Sequence, residues 1–61
     1  MEWIKFKNID ELPKNECILV ANDTSIDYII YCFGSWCFCH SEAKISDNLL
    51  NTYNKYFIPK L

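Results

Sequence analysis

Apolar and polar positions fall along this chain in short blocks, each the length of a strand or of a single helical turn. Trp3-Ile4-Lys5-Phe6-Lys7 reads as a short extended segment, and Asn8-Ile9-Asp10-Glu11-Leu12-Pro13 as one helical turn stopped by Pro13. Lys14-Asn15-Glu16 is a polar turn. Cys17-Ile18-Leu19-Val20-Ala21 is a continuous apolar run of strand length, closed by the turn-prone Asn22-Asp23-Thr24-Ser25.

The stretch from Tyr28 to His40 predicts one β-hairpin. Two β-branched and aromatic runs flank Gly34-Ser35, a two-residue loop suited to a primed turn with positive φ at the only glycine of the chain. In that register Phe33 faces Trp36, Cys32 faces Cys37, Tyr31 faces Phe38, Ile30 faces Cys39 and Ile29 faces His40. Because side chains alternate, Cys32, Cys37 and Cys39 share one side, and Phe33, Trp36, Phe38 and His40 the other. With the preceding run, the hairpin makes a three-stranded antiparallel meander.

Beyond His40 the period changes. Leu49, Leu50, Tyr53 and Tyr56 or Phe57 recur at helical spacing. Ser46 suits the N-cap, Asp47 the positive end of the helix dipole, and Ile45 with Leu50 a hydrophobic staple, so a helix is expected over about 46–55, with Ser41 as an alternative start. Tyr56-Phe57-Ile58-Pro59-Lys60-Leu61 reads as extended, with Pro59 at an edge or just beyond a strand. No repeat, linker or low-complexity tract interrupts the chain. The expectation is a single α+β domain over 1–61, with a small three- to four-stranded antiparallel sheet packed against one helix in the C-terminal half.

At 61 residues such a domain buries only about 60% of the surface its unfolded chain exposes. Half the residues are hydrophobic (51%), including two Trp, four Tyr and four Phe, which offsets the small size. The net charge of −2 comes from eight acids against six lysines, with no arginine, so the bidentate fork that reads guanine or clamps phosphate is missing. Nucleic acid is accordingly not the expected partner. The start, Met1-Glu2-Trp3-Ile4-Lys5, turns charged at once and no apolar run approaches membrane-spanning length, which predicts a soluble, intracellular protein with reduced thiols.

Four cysteines are the first candidates for chemistry. Cys37-x-Cys39, Cys32 on the same hairpin face, Cys17 on the next strand and the adjacent His40 supply enough soft ligands for a tetrahedral zinc site. The spacing opposes it, since structural zinc favours Cys-x2-4-Cys knuckles on turns and His40 points to the other face. Small buried hydrophobes are the favoured reading. A Cys32 to Cys37 disulfide is a third, because direct neighbours at a non-hydrogen-bonded pair bring Cα atoms to about 4.5 Å. No cofactor is expected. Catalysis is not expected either: His40 is directed away from Cys39, the carboxylates are scattered, and one glycine excludes a phosphate-cradling loop.

The aromatics are too many for one helix and one sheet side to bury. The candidate interface is the hairpin face of Tyr31, Phe33, Trp36 and Phe38, rimmed by Asp27 and His40. The alternative is a monomer in which the N-terminal segment and the C-terminal strand cover the second face.

Trp3-Ile4, Leu12-Pro13, the Ile18-Leu19-Val20 strand, Gly34-x-Trp36 and the terminal Phe57-Ile58-Pro59 together give a chain that resembles the domain-of-unknown-function 551 family, short proteins of phages, prophages and bacteria. The resemblance implies a context of mobile genetic elements and carries no catalytic residues. The leading expectation is a non-enzymatic phage or prophage accessory protein in the host cytoplasm. It would bind a host protein and inhibit a defence component such as a nuclease or a CRISPR effector. A homodimer is the other protein partner considered. The alternatives are a zinc-stabilised or thiol-responsive module built on Cys17, Cys32, Cys37 and Cys39, and a weak single-strand nucleic-acid binder.

Overall fold

A computed structural model describes residues 2–41 and 43–59. The segment after Trp3 becomes strand β1 (Ile4–Lys5), followed by a 3-10 turn over Ile9–Glu11. The turn forms because Asn8 closes a capping box: its side chain accepts from the Asp10 N–H at 3.0 Å, while the Glu11 carboxylate accepts from the Asn8 N–H at 2.9 Å. Strand β2 (Ile18–Ala21) leads through a tight turn into β3 (Ile26–Cys32). Asn22 Oδ1 holds that turn, accepting from the Thr24 and Ser25 N–H groups at 2.9 and 2.8 Å.

The hairpin forms, with a different loop. Strand β4 covers Ser35–Phe38, and the two loop residues are Phe33 and Gly34 rather than Gly34 and Ser35. Both have positive φ, 51° and 79°, as a type I′ turn requires. The pairs are therefore Ile29 with Phe38, Ile30 with Cys37, Tyr31 with Trp36 and Cys32 with Ser35. Each residue has slid past its expected partner by two positions. A two-residue slip keeps every side chain on its expected face, so Cys32, Cys37 and Cys39 still share a side.

The helix is shorter than expected. Ser46 caps it, accepting from the Leu49 N–H at 3.3 Å, and Ile45 and Leu50 both enter the core, but α1 covers only Asp47–Leu50. It ends because the next residues have better partners elsewhere. The Thr52 hydroxyl donates back to the Leu49 carbonyl at 2.6 Å, Tyr53 turns into the core, and the Asn54 N–H donates to the Ala21 carbonyl at 3.0 Å. Lys55–Phe57 then forms β5, which pairs with β2 on one side and β1 on the other. Ser41 starts no helix. Residues 43–45 instead run beside β4, with the Phe38 N–H donating to the Ala43 carbonyl and the Ile45 N–H to the Trp36 carbonyl, both at 2.9 Å.

The sheet is thus antiparallel and five-stranded, in the order β1-β5-β2-β3-β4, where three to four strands were expected. Of the expected extended tail, Tyr56 and Phe57 lie in β5, and Lys60 and Leu61 lie outside the described residues. The core sits on one face. Ile18, Val20 and Ile29 from the sheet meet Leu12, Ile45, Leu50 and Tyr53 from the connecting segments. Among the described residues no helix is long and apolar enough to cross a membrane.

Candidate functional site: the uncovered sheet face

The ladder register divides the strand residues into two sets. Ile18, Val20, Asp27, Ile29, Tyr31, Trp36, Phe38 and Tyr56 point toward the core, and Leu19, Ile26, Tyr28, Ile30, Cys32, Cys37, Lys55 and Phe57 point the other way. The 3-10 turn and α1 supply Ile9, Leu12 and Leu50 to the first set, and the core cluster lies on that side. Most of the second set stays partly wet, Ile26 being 56% and Tyr28 41% exposed and Leu19, Ile30 and Phe57 half-buried, while Cys37 and Ala21 on the same side are buried.

At one end of this open face the Trp3 ring packs against Phe57, with centroids 6.0 Å apart, and the Lys55 ammonium sits 5.4 Å from the Trp3 ring centroid. Lys5 is paired with Lys55, and at the far end Lys44 is paired with Cys37. The face therefore has lysines at both margins. The one acidic residue inside a strand, Asp27, is on the covered side, where the Tyr53 hydroxyl donates to its carboxylate. Burial, reinforced by that bond and by the Asp27 charge, pushes the Tyr53 phenol up to about 12.

All four cysteines line one open cavity of about 610 Å3 on the same face. They stand as two thiol pairs: Cys32 and Cys37 with sulfurs 3.3 Å apart, Cys17 and Cys39 with sulfurs 3.4 Å apart. The second pair meets across β3, because Cys17 precedes β2 on one side of it and Cys39 follows β4 on the other. Burial, with the hydrogen bond to Cys17 next, pushes the Cys39 thiol up to about 11. The Tyr28 hydroxyl is also raised, first by its hydrogen bond with Cys17 and then by burial. Among the described residues no three His, Cys, Asp or Glu side chains converge as a metal ligand set. The sulfurs are paired rather than gathered.

The expected interface residues are dispersed. Trp36 is 5% exposed and belongs to the core, with Tyr31 edge-on to it at 5.2 Å, and Phe38 packs against the same cluster, so these rings are spent on folding. Lys14 covers the Tyr31 ring at 4.7 Å. Asp27 is engaged by Tyr53, and His40 stacks edge-on against Phe38 at 5.5 Å. Phe33 alone is fully exposed, at the tip of the hairpin. The residues that do line the open face, Trp3, Leu19, Tyr28 and Phe57, were not singled out from sequence. Strand geometry puts Leu19 on the opposite side from Ile18 and Val20, but the run is apolar throughout, so only the ladder says which phase is covered.

No protein-family model, no curated protein and no solved structure matches the chain. The resemblance to the domain-of-unknown-function 551 family thus rests on Trp3-Ile4, Leu12-Pro13, the Ile18-Leu19-Val20 strand, Gly34-x-Trp36 and Phe57-Ile58-Pro59 alone.

Proposed function

We propose that this chain is a non-enzymatic binding protein whose uncovered sheet face docks a protein partner presenting apolar side chains flanked by carboxylates. The observation that carries it is a five-stranded sheet with one apolar face that the described residues leave open, centred on Leu19, Tyr28 and Ile30 and bounded by Lys5, Lys44 and Lys55. The molecule measures 29 × 27 × 20 Å, so its broad face is of the order of the ~800 Å2 per partner that a standard interface buries. Apolar rings at the centre of such a patch anchor affinity, and charges at its rim select the partner. Stacking two copies on this face would set lysine margins against each other, which favours a different protein over a second copy.

A narrower reading follows from the family resemblance and the net charge of −2: an accessory protein of a phage or prophage that inhibits a host defence component. It uses the same face and stands or falls with the partner's identity. A nucleic-acid reading has one observation in its favour, the lysine-covered Trp3 beside Phe57 on an open sheet, where bases stack in single-strand binders.

The test is cross-linked capture from host lysate with the wild type, Ile26→Ala/Tyr28→Ala on the open face, and Phe33→Ala at the hairpin tip. Circular dichroism of each variant guards against misfolding. A nuclease-insensitive protein held by the wild type and Phe33→Ala, and reduced at least about tenfold by the open-face pair of substitutions, corresponds to the loss of two interface anchors. Equal capture by all three removes the face from consideration. Loss on nuclease treatment, with salt-dependent binding of an oligothymidine probe, establishes the nucleic-acid reading instead.

A further inference from the structure

The four thiols form two pairs that differ in how far their backbones stand apart. Cys32 and Cys37 lie on adjacent strands joined by the two-residue loop, at diagonal positions of one ladder: Cys32 is opposite Ser35, and Cys37 is opposite Ile30. Diagonal neighbours on adjacent strands have Cα atoms about 7–8 Å apart, at or just past the ~7 Å beyond which a disulfide needs the backbone to move. Their sulfurs are already 3.3 Å apart. Cys17 and Cys39 approach as closely, at 3.4 Å, but from opposite sides of β3. Two strand spacings separate such backbones by about 9 Å, beyond that limit. Contact between sulfurs therefore means different things in the two pairs.

We propose that Cys32 and Cys37 are a redox dithiol, closed to an intrachain disulfide by a small-molecule disulfide of the glutathione class, while Cys17 and Cys39 remain thiols. Cys32 is half-buried at the open cavity and Cys37 is 8% exposed, so Cys32 is the sulfur that the reagent reaches first. The Cys32 thiolate attacks one sulfur of the reagent, the reagent's S–S bond breaks, and one small thiolate leaves. Cys37 then gives up its proton, attacks Cys32 Sγ in the mixed disulfide, and expels the second small thiolate. Two electrons pass from the cysteine pair to the reagent. The two protons lost from the cysteines end on the two released small thiols.

The surroundings favour this outcome over metal binding. The sulfurs stand in twos, and among the described residues no group of three His, Cys, Asp or Glu side chains is placed to hold a metal. Closing the Cys32 to Cys37 bond requires only a small contraction near the loop end of the hairpin. Cys39, held by burial and by Cys17 as a thiol up to about pH 11, attacks slowly at neutral pH. The inference is independent of what docks on the sheet face.

The experiment is incubation of the whole reduced chain with oxidised glutathione, followed by alkylation without reduction and mass spectrometry. The expected result is a loss of two of four alkylatable thiols, with fragment ions placing the alkyl groups on Cys17 and Cys39. In Cys37→Ser the reaction should stop at one glutathionyl group on Cys32, whereas Cys17→Ser/Cys39→Ser should still close. A Cys17 to Cys39 bond overturns the proposal. So does disulfide found only between chains, or four remaining thiols under conditions that oxidise dithiothreitol. The wild-type mapping decides the matter even if a serine variant fails to fold.

Discussion

Ile18, Val20 and Ile29 lie on one face of the sheet with no exposure at all, while their chain neighbours Leu19, Tyr28 and Ile30 lie on the other and stay partly wet. The residue types differ little. What differs is the company among the described residues: one face receives Leu12, Ile45, Leu50 and Tyr53 from α1 and the connecting segments, and the other receives Trp3 at one margin and Lys44 at the other. A continuous apolar run such as Cys17 to Ala21 is what a strand covered on both sides carries. The described residues cover one side. The unmet half of the pattern is the physical ground for expecting a partner.

The sharpest way to break that comparison is to truncate one residue from each face. Ile29→Ala removes a fully buried side chain at the centre of the core and should cost about 3 kcal/mol, a large share of the stability of so small a domain. Leu19→Ala, on the open face, should cost less than about 1 kcal/mol. Urea unfolding at two protein concentrations reads both. Equal losses, or a Leu19→Ala effect that grows with concentration, would mean that a second copy covers the open face.

Alkaline titration sharpens the comparison, because the Tyr53 phenol belongs to the covered face. In the folded chain Tyr53 keeps its proton to about pH 12, against 10.0 for an ordinary tyrosine, so the unfolded chain releases protons first. The stability tied to this group is complete below pH 10 and is lost as the pH climbs toward 12, by about 2 kcal/mol in all. Cys39 contributes with the same sign at lower pH, from 9.0 to about 11. Tyr53→Phe should flatten the upper part of the profile relative to wild type. An unchanged slope would remove the bond to Asp27 from the energetics.

Local chemistry was legible in the sequence and long-range pairing was not. Ser46 announces a helix start and Pro13 a helix stop because each acts on its nearest neighbours. The extent of α1 was misread because Tyr53 through Phe57 obey partners far away in sequence: Asp27, Ala21, Val20 and Ile4. The hairpin slip was invisible to side-chain patterning, since a shift of two leaves every face unchanged. For the same reason the shared face of Cys32, Cys37 and Cys39 was legible. The meeting of Cys17 with Cys39 needed the strand order. That the side of Tyr31, Trp36 and Phe38 is the one packed on the core is not legible in the sequence, because both sides are apolar and only the destination of Leu12 and Leu50 decides which is covered.

Ser46 gives a smaller effect on the same comparison. Its hydroxyl fixes the turn that seats Leu50 over the covered face, so Ser46→Ala should lower stability by about 1 kcal/mol while leaving partner capture by the open face unchanged. Loss of capture in a variant that remains folded would show that the two faces are coupled.

The smallest predicted effect concerns a residue that belongs to neither face. Phe33 is fully exposed and has a φ of 51°, a conformation that bulky side chains resist and asparagine tolerates. A type I′ turn prefers Asn-Gly at its centre, and Phe33→Asn would create that pair ahead of Gly34. The substitution forfeits no burial and relieves the backbone, so it should raise stability by about 0.5 kcal/mol, readable as an upward shift in melting temperature. If Phe33→Asn instead lowers affinity for the captured partner, the hairpin tip is part of the docking surface, and the apolar ring is kept there at the expense of the turn.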